Sequence, residues 1–356
     1  MIIGLIGLAN AGKTVLFNAL TGAEAPVTAY ANRGVEPNLA SVPVRDERVD
    51  RLVEMYRPRK VTYASVDFID FAGLSEGDAR GGVFSGLAMG LVKNTDALAV
   101  VLRNFEDDLS GPPDPEGDLE LLETELLLSD LLITERRLER IRSLRGKGKG
   151  NPALEAEEKL LRRAAEALEG NRPLRALGLS AEEKQALKGF HFLTLKPALV
   201  VLNSGEERYG KSPGLLERLQ ERYPAVEFAG RFEMELARLE DEEERRLFLE
   251  DMGIGASARD RLVRLAYETV GYISFFTVGP DEVRAWTLLR GGTAEEAAGV
   301  IHRDLARGFI RAECFSCEEL LACGSEKEVR ARGLLRLEGR KYAVKDGDVL
   351  CIRFSV

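Results

Sequence analysis

The sequence of 356 residues contains few cysteines, few histidines and no long apolar run. Its longest apolar runs, 97–102 and 198–202, are as short as a strand, whereas a membrane helix needs about 20 residues. Four cysteines are too few for a secreted disulfide scaffold, and no basic segment precedes Ile2, as a signal peptide would require. The net charge of −9 argues against a wholly basic nucleic-acid binder. We therefore expect a cytoplasmic protein without a membrane segment.

Short apolar runs alternate with helical patterns in the first part of the chain. Residues 2–6, 65–69, 97–102 and 198–202 are too continuously apolar for a half-exposed antiparallel sheet, and we expect them to be buried parallel strands. The last two runs are separated by a long segment of different character. The pattern predicts an α/β domain that is interrupted by an insertion.

The predicted insertion consists of two Leu-, Glu- and Arg-rich stretches, 118–144 and a second one that ends near Glu169. Prolines within 112–115 are expected to break the chain before them, and a Gly-rich turn at 146–152 joins them. In the second stretch Leu154, Leu161 and Leu168 recur at heptad spacing. This pattern predicts an antiparallel coiled-coil hairpin.

The texture changes again near residue 273. Strands are predicted at 274–278, 283–289 and up to 354, with a helix over 293–307, as in a small α+β domain of β-grasp type. The predicted domains are the first part of the α/β domain, the helical hairpin, the second part of the α/β domain and the C-terminal α+β domain, over 1–104, 105–190, 191–272 and 273–356.

A phosphate-binding loop is predicted directly after the first strand. Residues 7–14, Gly-Leu-Ala-Asn-Ala-Gly-Lys-Thr, fit G-x-x-x-x-G-K-[ST] between a predicted strand and a predicted helix, which makes a chance match improbable. Backbone amides and the helix N-terminus would bind phosphate oxygens. Lys13 would bridge the outer phosphates, and the Thr14 hydroxyl would bind Mg²⁺. The predicted nucleotide-binding residues of this loop are Asn10, Ala11, Gly12, Lys13, Thr14 and Val15.

A second motif, D-x-x-G, closes the predicted strand 65–69. Asp70 can hold Mg²⁺ through a water molecule, and the Gly73 amide can meet the γ-phosphate. We therefore predict Lys13, Asp70 and Gly73 as catalytic residues. The alternative is an ordinary turn at the end of a strand, which the position behind a phosphate-binding loop disfavours.

The residues expected to contact the base are Asn-Ser-Gly-Glu at 203–206, where guanine-specific proteins of this class have Asn-Lys-x-Asp. Asn203 can still bind N7, which both purines offer. The longer Glu206 would crowd a guanine, and no lysine is left to lie over the base. These features favour ATP over GTP, although Glu206 could also be a solvated residue at a helix entry. The predicted base-side residues are Asn203, Ser204, Glu206, Ala229 and Gly230.

With these motifs the sequence resembles the YchF/Obg-like ATPases, P-loop proteins of the translation-factor class. The matching segments extend nearly from one end of the chain to the other: Asn10 within the loop, 35–38, 70–74, 95–97, 196–197, 203–206, 283–287, 298–304, 308–313 and 346–349. The resemblance implies a G domain, an inserted helical hairpin and a C-terminal TGS domain. It also implies ATP hydrolysis with Mg²⁺, ribosome association, a role in translation or stress regulation, and a catalytic Asn10 that coordinates K⁺ in place of an arginine finger.

The sequence departs from the family pattern in its switch segments. Gly34 stands where the family has the threonine that completes Mg²⁺ coordination, and Gly82 replaces a glutamate of the second switch. Leu74 conforms to the family, and no glutamine is present there to position the attacking water. These departures lead to the hypothesis of slower hydrolysis or a different switch mechanism.

The hairpin carries a cluster of basic residues, Arg136, Arg137, Arg140, Arg142, Arg145, Lys147 and Lys149. They are either a solvated helix face with internal ion pairs or a contact for ribosomal RNA phosphates, which the resemblance favours. Three functions remain open: an Mg²⁺-dependent ATPase whose nucleotide state alters ribosome binding, a nucleotide-gated binding protein with negligible turnover, and a GTPase switch. Nothing in the sequence requires a dimer, and we expect a monomer.

Overall fold

The computed structural model describes residues 1–22, 37–71, 90–107, 111–148, 151–239, 241, 243–244, 247 and 257–355. Its strands are β1 Ile2–Ile6, β2 Asn38–Pro43, β3 Lys60–Thr62, β4 Ser65–Asp70, β5 Ala97–Asn104, β6 Ala198–Ser204, β7 Ala225–Phe228, β8 Tyr272–Thr277, β9 Glu282–Leu289, β10 Phe309–Ser316, β11 Arg336–Glu338 and β12 Asp348–Phe354.

Its helices are α1 Lys13–Thr21, α2 Glu47–Tyr56, α3 Pro115–Gly146, α4 Pro152–Glu169, α5 Ala181–Leu187, α6 Pro213–Arg222, α7 Gly230–Arg238, α8 Ala258–Thr269, α9 Ala294–Ile301, α10 Arg303–Arg307, α11 Cys317–Cys323 and α12 Glu326–Ala331, with short 3₁₀ turns at Leu174–Leu177 and Lys188–Phe190. Among the described residues, no helix combines the length and the apolar character that a membrane span needs. The chain forms two compact units: Met1–Ala40 with Asp67–Arg259, and Ser41–Val66 with Asp260–Val356.

A six-stranded sheet in the order β2-β4-β1-β5-β6-β7 organises the first unit. Strand β1 pairs in parallel with β4 and β5, and β5 pairs in parallel with β6 from Leu98↔Ala198 to Asn104↔Ser204. The predicted parallel strands are therefore confirmed. Strands β5 and β6 are buried along their whole length, because helices cover both faces of a parallel sheet. The carboxyl ends of β1, β4, β5 and β6 lie at one edge, where such sheets bind ligands.

Helices α3 and α4 form a hairpin within the first unit. Its leucine-rich core includes Leu161 and Leu168, with Leu154 packed against it, and Arg137 Nε lies 2.7 Å from Glu157 Oε1 across the pair. The helix begins at Pro115, at the end of the proline-containing segment 112–115 that is expected to break the chain. Asp114 caps the helix by accepting from the Gly117 N–H, and proline fits the first helical position because no intrahelical partner is needed there. The coiled-coil packing of the hairpin stays a prediction.

The second unit contains a mixed sheet in the order β11-β10-β12-β8-β9-β3. Strands β8 and β9 pair antiparallel, as do β10 and β12, whereas β12–β8 and β9–β3 are parallel. The predicted helical stretch over 293–307 is divided into two helices, Ala294–Ile301 and Arg303–Arg307, which meet at His302. This residue is extended at φ −163°, and its Nδ1 accepts from the Asp304 N–H at 3.2 Å, which caps α10.

The compact units divide the chain differently from the predicted domains. Residues 41–66, which contain α2 and β3, were expected in the α/β domain but belong to the second unit, where β3 extends the mixed sheet. Most of α8 also belongs to the second unit rather than to the α/β domain. No element is predicted from the sequence in 41–64. The three residues of β3 give no periodic signal, whereas Val49, Leu52, Val53 and Tyr56 of α2 recur at helical spacing and were the available signal for this helix.

Candidate nucleotide-binding site

The phosphate-binding loop connects β1 to α1, as its motif requires. Gly12 has φ +86°, and an added Cβ would lie 2.2 Å from Asn203 Nδ2. At Gly7 an added Cβ would lie 2.5 Å from the carbonyl oxygen of Val101. Asn10 is also left-handed, with φ 57°, a conformation that asparagine tolerates better than most residues. The motif glycines are therefore dictated by close approaches of the backbone to neighbouring strands.

Lys13 is buried at the first turn of α1. Its ammonium group donates to the carbonyl oxygens of Gly7 at 3.0 Å and Leu8 at 2.8 Å, so the side chain lies back along its own loop. Burial lowers its pKa to about 8, against the opposing attraction of the Asp70 carboxylate. A desolvated cation held among backbone groups is well placed to interact with phosphate oxygens.

Thr14 and Asp70 bring two oxygen ligands together. The Thr14 hydroxyl donates to Asp70 Oδ2 at 2.8 Å, and Asp70 is fully buried at the end of β4. A hydroxyl and a carboxylate oxygen are donors that Mg²⁺ prefers, so the residues present fit this ion. The structure thus brings together two residues that are 56 positions apart in the sequence, as the motifs predict.

Asn203 connects the end of β6 to two other segments. Its side-chain Nδ2 donates to the Ala11 carbonyl at 3.0 Å, and its Oδ1 accepts from the Gly230 N–H at 3.4 Å. The side chain is buried. Asn203 therefore joins the phosphate-binding loop to the start of α7, where Ala229 and Gly230 lie.

A cavity of about 480 Å³ lies beside these residues. Its volume is within the range of ligand pockets in proteins. Seven predicted residues line it: Gly12, Val15, Asn203, Ser204, Glu206, Ala229 and Gly230. Glu206 is exposed on the wall, whereas Ser204 is buried.

The other walls of the cavity are formed by residues that were not predicted from the sequence. They include Phe105, Glu106, Asp107, Arg208 and Phe232. The side-chain amide of Asn10 donates to Asp107 Oδ2 at 3.4 Å, and Arg208 forms an ion pair with Glu106. Phe105, Glu106 and Asp107 follow β5 directly, Arg208 lies in the loop after β6, and Phe232 lies in the first turn of α7 after β7. Their position after parallel strands was the available signal. Gly73 and the switch residues Gly34, Leu74 and Gly82 lie outside the described residues.

The chain is similar to known proteins over nearly its whole length. Residues 2–129 match a family model described as "50S ribosome-binding GTPase", and residues 272–355 match the model YchF-GTPase_C, described as "Protein of unknown function (DUF933)". The chain is 38% identical over 365 residues to the "Ribosome-binding ATPase YchF" of Bacillus subtilis (strain 168), with 99% of each chain covered. The chain belongs to the YchF family.

Other members of the YchF family are similar to this chain over the same length. The protein of that name from Escherichia coli O157:H7 is 37% identical over 361 residues, with 99% of each chain covered. The solved structure of the Schizosaccharomyces pombe YchF GTPase matches with a TM-score of 0.86 and 28% identity, covering 99% of this chain and 97% of that chain. The predicted family is confirmed, and so is the architecture of a P-loop GTPase-type domain with a further C-terminal domain.

Proposed function

We propose that this chain is an Mg²⁺-dependent nucleotide hydrolase that prefers ATP to GTP and associates with the ribosome to regulate translation or the stress response. One observation carries the proposal: Lys13, Thr14 and Asp70 are held together beside a cavity large enough for a nucleotide. The names of its relatives, which describe them as ribosome-binding ATPases, support the proposal.

The phosphate end of the site offers charge stabilisation rather than covalent chemistry. Mg²⁺, when bound by Thr14 and by Asp70 through water, would neutralise charge that develops on the transferred phosphoryl group. Lys13 would turn from the carbonyls of its loop to the outer phosphates and add a second positive charge. Asn10 is proposed as a K⁺ ligand that takes the place of an arginine finger, and its position beside Asp107 supports a cation there. Gly73 is proposed to meet the γ-phosphate through its amide.

The base end supports the preference for ATP. Position 204 is a serine instead of a lysine, so no long cationic side chain from this position lies over the base. Its hydroxyl donates to Glu227 Oε1 at 2.6 Å. Asn203 and Glu206 both line the cavity. We propose that Asn203 contacts N7 and that the longer Glu206 crowds a guanine. The longer Glu206 in place of the aspartate, and Ser204 in place of the lysine, of the usual Asn-Lys-x-Asp ending therefore support the preference for ATP in our proposal.

The hairpin and the C-terminal unit are the proposed ribosome contacts. Arg137 pairs with Glu157 and Arg145 pairs with Glu158, so these two cations serve the hairpin itself. Four other basic residues of the described hairpin are exposed and are proposed to contact RNA phosphates: Arg136, Arg140, Arg142 and Lys147. Lys149 lies outside the described residues. We further propose that the hairpin is a coiled coil, that the C-terminal unit is a β-grasp-like TGS domain, and that the protein is a cytoplasmic monomer.

The first experiment measures ATP and GTP affinity with Mg²⁺ and then phosphate release in K⁺ and in Na⁺. We expect ATP to bind more tightly than GTP and K⁺ to stimulate turnover. Tight binding without turnover in either salt would contradict the hydrolase proposal and favour the nucleotide-gated binding protein. Tighter binding of GTP would favour the GTPase switch.

A second test concerns Gly34, which is the observation that favours the nucleotide-gated alternative. Threonine at this position would restore a ligand that the family uses for Mg²⁺. Gly34→Thr is expected to raise turnover by more than about twofold if the missing ligand limits catalysis. A smaller increase would show that the glycine does not impair the reaction.

A further inference from the structure

One buried carboxylate holds both ends of the 205–210 loop, defined as the segment from Gly205 to Gly210. Glu227 lies in β7, where it pairs in register with Leu202 of β6. Its Oε1 accepts from the Ser204 hydroxyl at 2.6 Å, directly before the loop. Its Oε2 accepts from the Gly210 N–H at 3.0 Å, at the far end of the loop. The two oxygens of a single side chain therefore fix the start and the end of this segment.

The network extends to β5. Asn104 Nδ2 donates to the Ser204 hydroxyl oxygen at 2.8 Å, and the Asn104 carbonyl accepts from the Gly205 N–H at 3.2 Å. The side chains of Asn104, Ser204 and Glu227 are all buried, with residue exposures of 2%, 3% and 9%. Buried hydrogen bonds of this kind define positions sharply, because a misplaced group would lose its partner without gaining water.

The loop that this network holds forms one wall of the nucleotide cavity. Gly205, Glu206, Glu207 and Arg208 all line the cavity. Neither Ser204 nor Glu227 bonds to Lys13, Thr14 or Asp70, which are held by their own loop and by each other. A change at Glu227 should therefore reach the base end of the site and leave the phosphate end in place.

We propose that Glu227 is a positioning residue that determines the preference for adenine over guanine. It does so by holding the 205–210 loop at a fixed distance from the bound base. Adenine and guanine differ in the groups at C2 and C6, so discrimination between them requires a wall that does not yield. This inference rests on the proposed function, because it requires that the cavity binds a purine nucleotide.

The test compares Glu227→Gln and Ser204→Ala with the wild type. Glutamine keeps the volume of the side chain but replaces one acceptor oxygen by a donor, so it cannot accept from Ser204 and Gly210 together. We expect either variant to raise the Kd and KM for ATP by at least about fivefold and to reduce the ratio of ATP to GTP affinity by at least about threefold. The turnover number should change by less than about twofold, because the phosphate end is untouched.

Two controls separate positioning from a general loss of stability. Glu217→Gln removes an exposed carboxylate from α6, the helix before β7, and should leave both affinities unchanged. The double variant with Glu227→Gln and Ser204→Ala should bind ATP no more weakly than the weaker-binding single variant, because both changes release the same loop. If Glu227→Gln does not fold, Asn104→Ala carries the test, because Asn104 donates to the Ser204 hydroxyl oxygen and is not among the residues that line the cavity. A lower Tm with an unchanged ATP-to-GTP ratio would refute the positioning role.

Titration of the wild type comes first. If ATP and GTP do not bind with Mg²⁺, the proposed function fails whatever Glu227 does. If they bind and the ratio is the same in wild type, Glu227→Gln and Ser204→Ala, only the role of Glu227 is refuted. Additive losses in the double variant would also refute it, since they would show two independent contacts.

Discussion

Gly12 shows how one residue can be required both for its backbone and for its neighbours. Its φ of +86° is unfavourable for other residues, and an added Cβ would displace the Asn203 side chain. Gly22, at the end of the same helix, has φ +68° but nothing within 4 Å of an added Cβ. The two glycines therefore share the conformational requirement and differ in the steric one.

This pair gives a matched prediction. Gly12→Ala and Gly22→Ala should each lower the free energy of unfolding by about 1 kcal/mol from backbone strain. Only Gly12→Ala should also weaken ATP binding, by at least about tenfold, because Asn203 must move away from Ala11. Urea unfolding and nucleotide titration measure the two effects. Equal ATP affinity in both variants would contradict the role of the Gly12–Asn203 contact.

Lys13 links nucleotide binding to pH. Its pKa is about 8 because burial disfavours the charged form, and a bound phosphate would raise it. Below pH 8 the ammonium is already formed, so binding should take up no proton there. Above pH 8 binding should take up a proton, and affinity should fall by up to about tenfold per pH unit.

Calorimetry measures the proton uptake that accompanies ATP binding. Titrations of ATP in buffers with different ionisation enthalpies should show proton uptake near zero at pH 7 and approaching one at pH 9, after subtraction of the proton balance of ATP itself. Lys13→Arg provides the control, because a guanidinium stays protonated across this range. Equal proton uptake in wild type and Lys13→Arg would contradict a lowered pKa.

At the scale of elements, Asp130 connects the hairpin to the segment before β6. This fully buried carboxylate of α3 accepts from the N–H groups of Leu193 and Thr194 at 2.9 and 2.7 Å and from the Thr194 hydroxyl at 2.7 Å. Three donors converge on one side chain. Its removal would leave them buried without this acceptor.

Asp130→Ala is therefore expected to lower the free energy of unfolding by about 3 kcal/mol. Glu139→Ala, which removes an exposed carboxylate from the same helix, should lower it by no more than about 0.5 kcal/mol. Urea denaturation monitored by circular dichroism measures both. A loss below about 1 kcal/mol for Asp130→Ala would mean that water replaces the carboxylate.

The elements that the sequence predicts well are those with strong local signals. Strands β1, β5 and β6 are continuous apolar runs, and the phosphate-binding loop carries a motif whose glycines obey local geometry. The walls formed by Phe105 and Arg208 carry no motif of their own, and only their position after parallel strands points to them. Glu227 was missed for a related reason: a glutamate between apolar residues shows its partner only when the strands are paired.

At the scale of the whole molecule, an acidic protein is proposed to bind a polyanion. The net charge of −9 opposes such binding at long range, so contact with RNA requires local clusters of exposed cations. Arg136, Arg140 and Arg142 are exposed on α3, whereas Arg137 is occupied by Glu157. This difference separates residues that could bind RNA from those that stabilise the hairpin.

Replacing Arg136, Arg140 and Arg142 together by alanine should weaken ribosome binding and reduce the slope of log affinity against log salt by about 2 to 3. Arg137→Ala should instead lower hairpin stability with little change in that slope. Sedimentation with ribosomes at several salt concentrations measures both variants. An unchanged slope in the triple variant would place the contact elsewhere on the molecule.

The pairing of β3 with β9 has a consequence for synthesis of the chain. Lys60 pairs with Glu282 in the mixed sheet of the second unit. At a translation rate of about 5–20 residues per second, Lys60 leaves the ribosome roughly 10–45 s before its partner. For that interval β3 has no partner strand, and its unpaired backbone N–H and C=O groups can pair with another chain. A fragment that starts at residue 272 lacks β3 and α2, so expression of the whole second unit requires residues 41–66 as well.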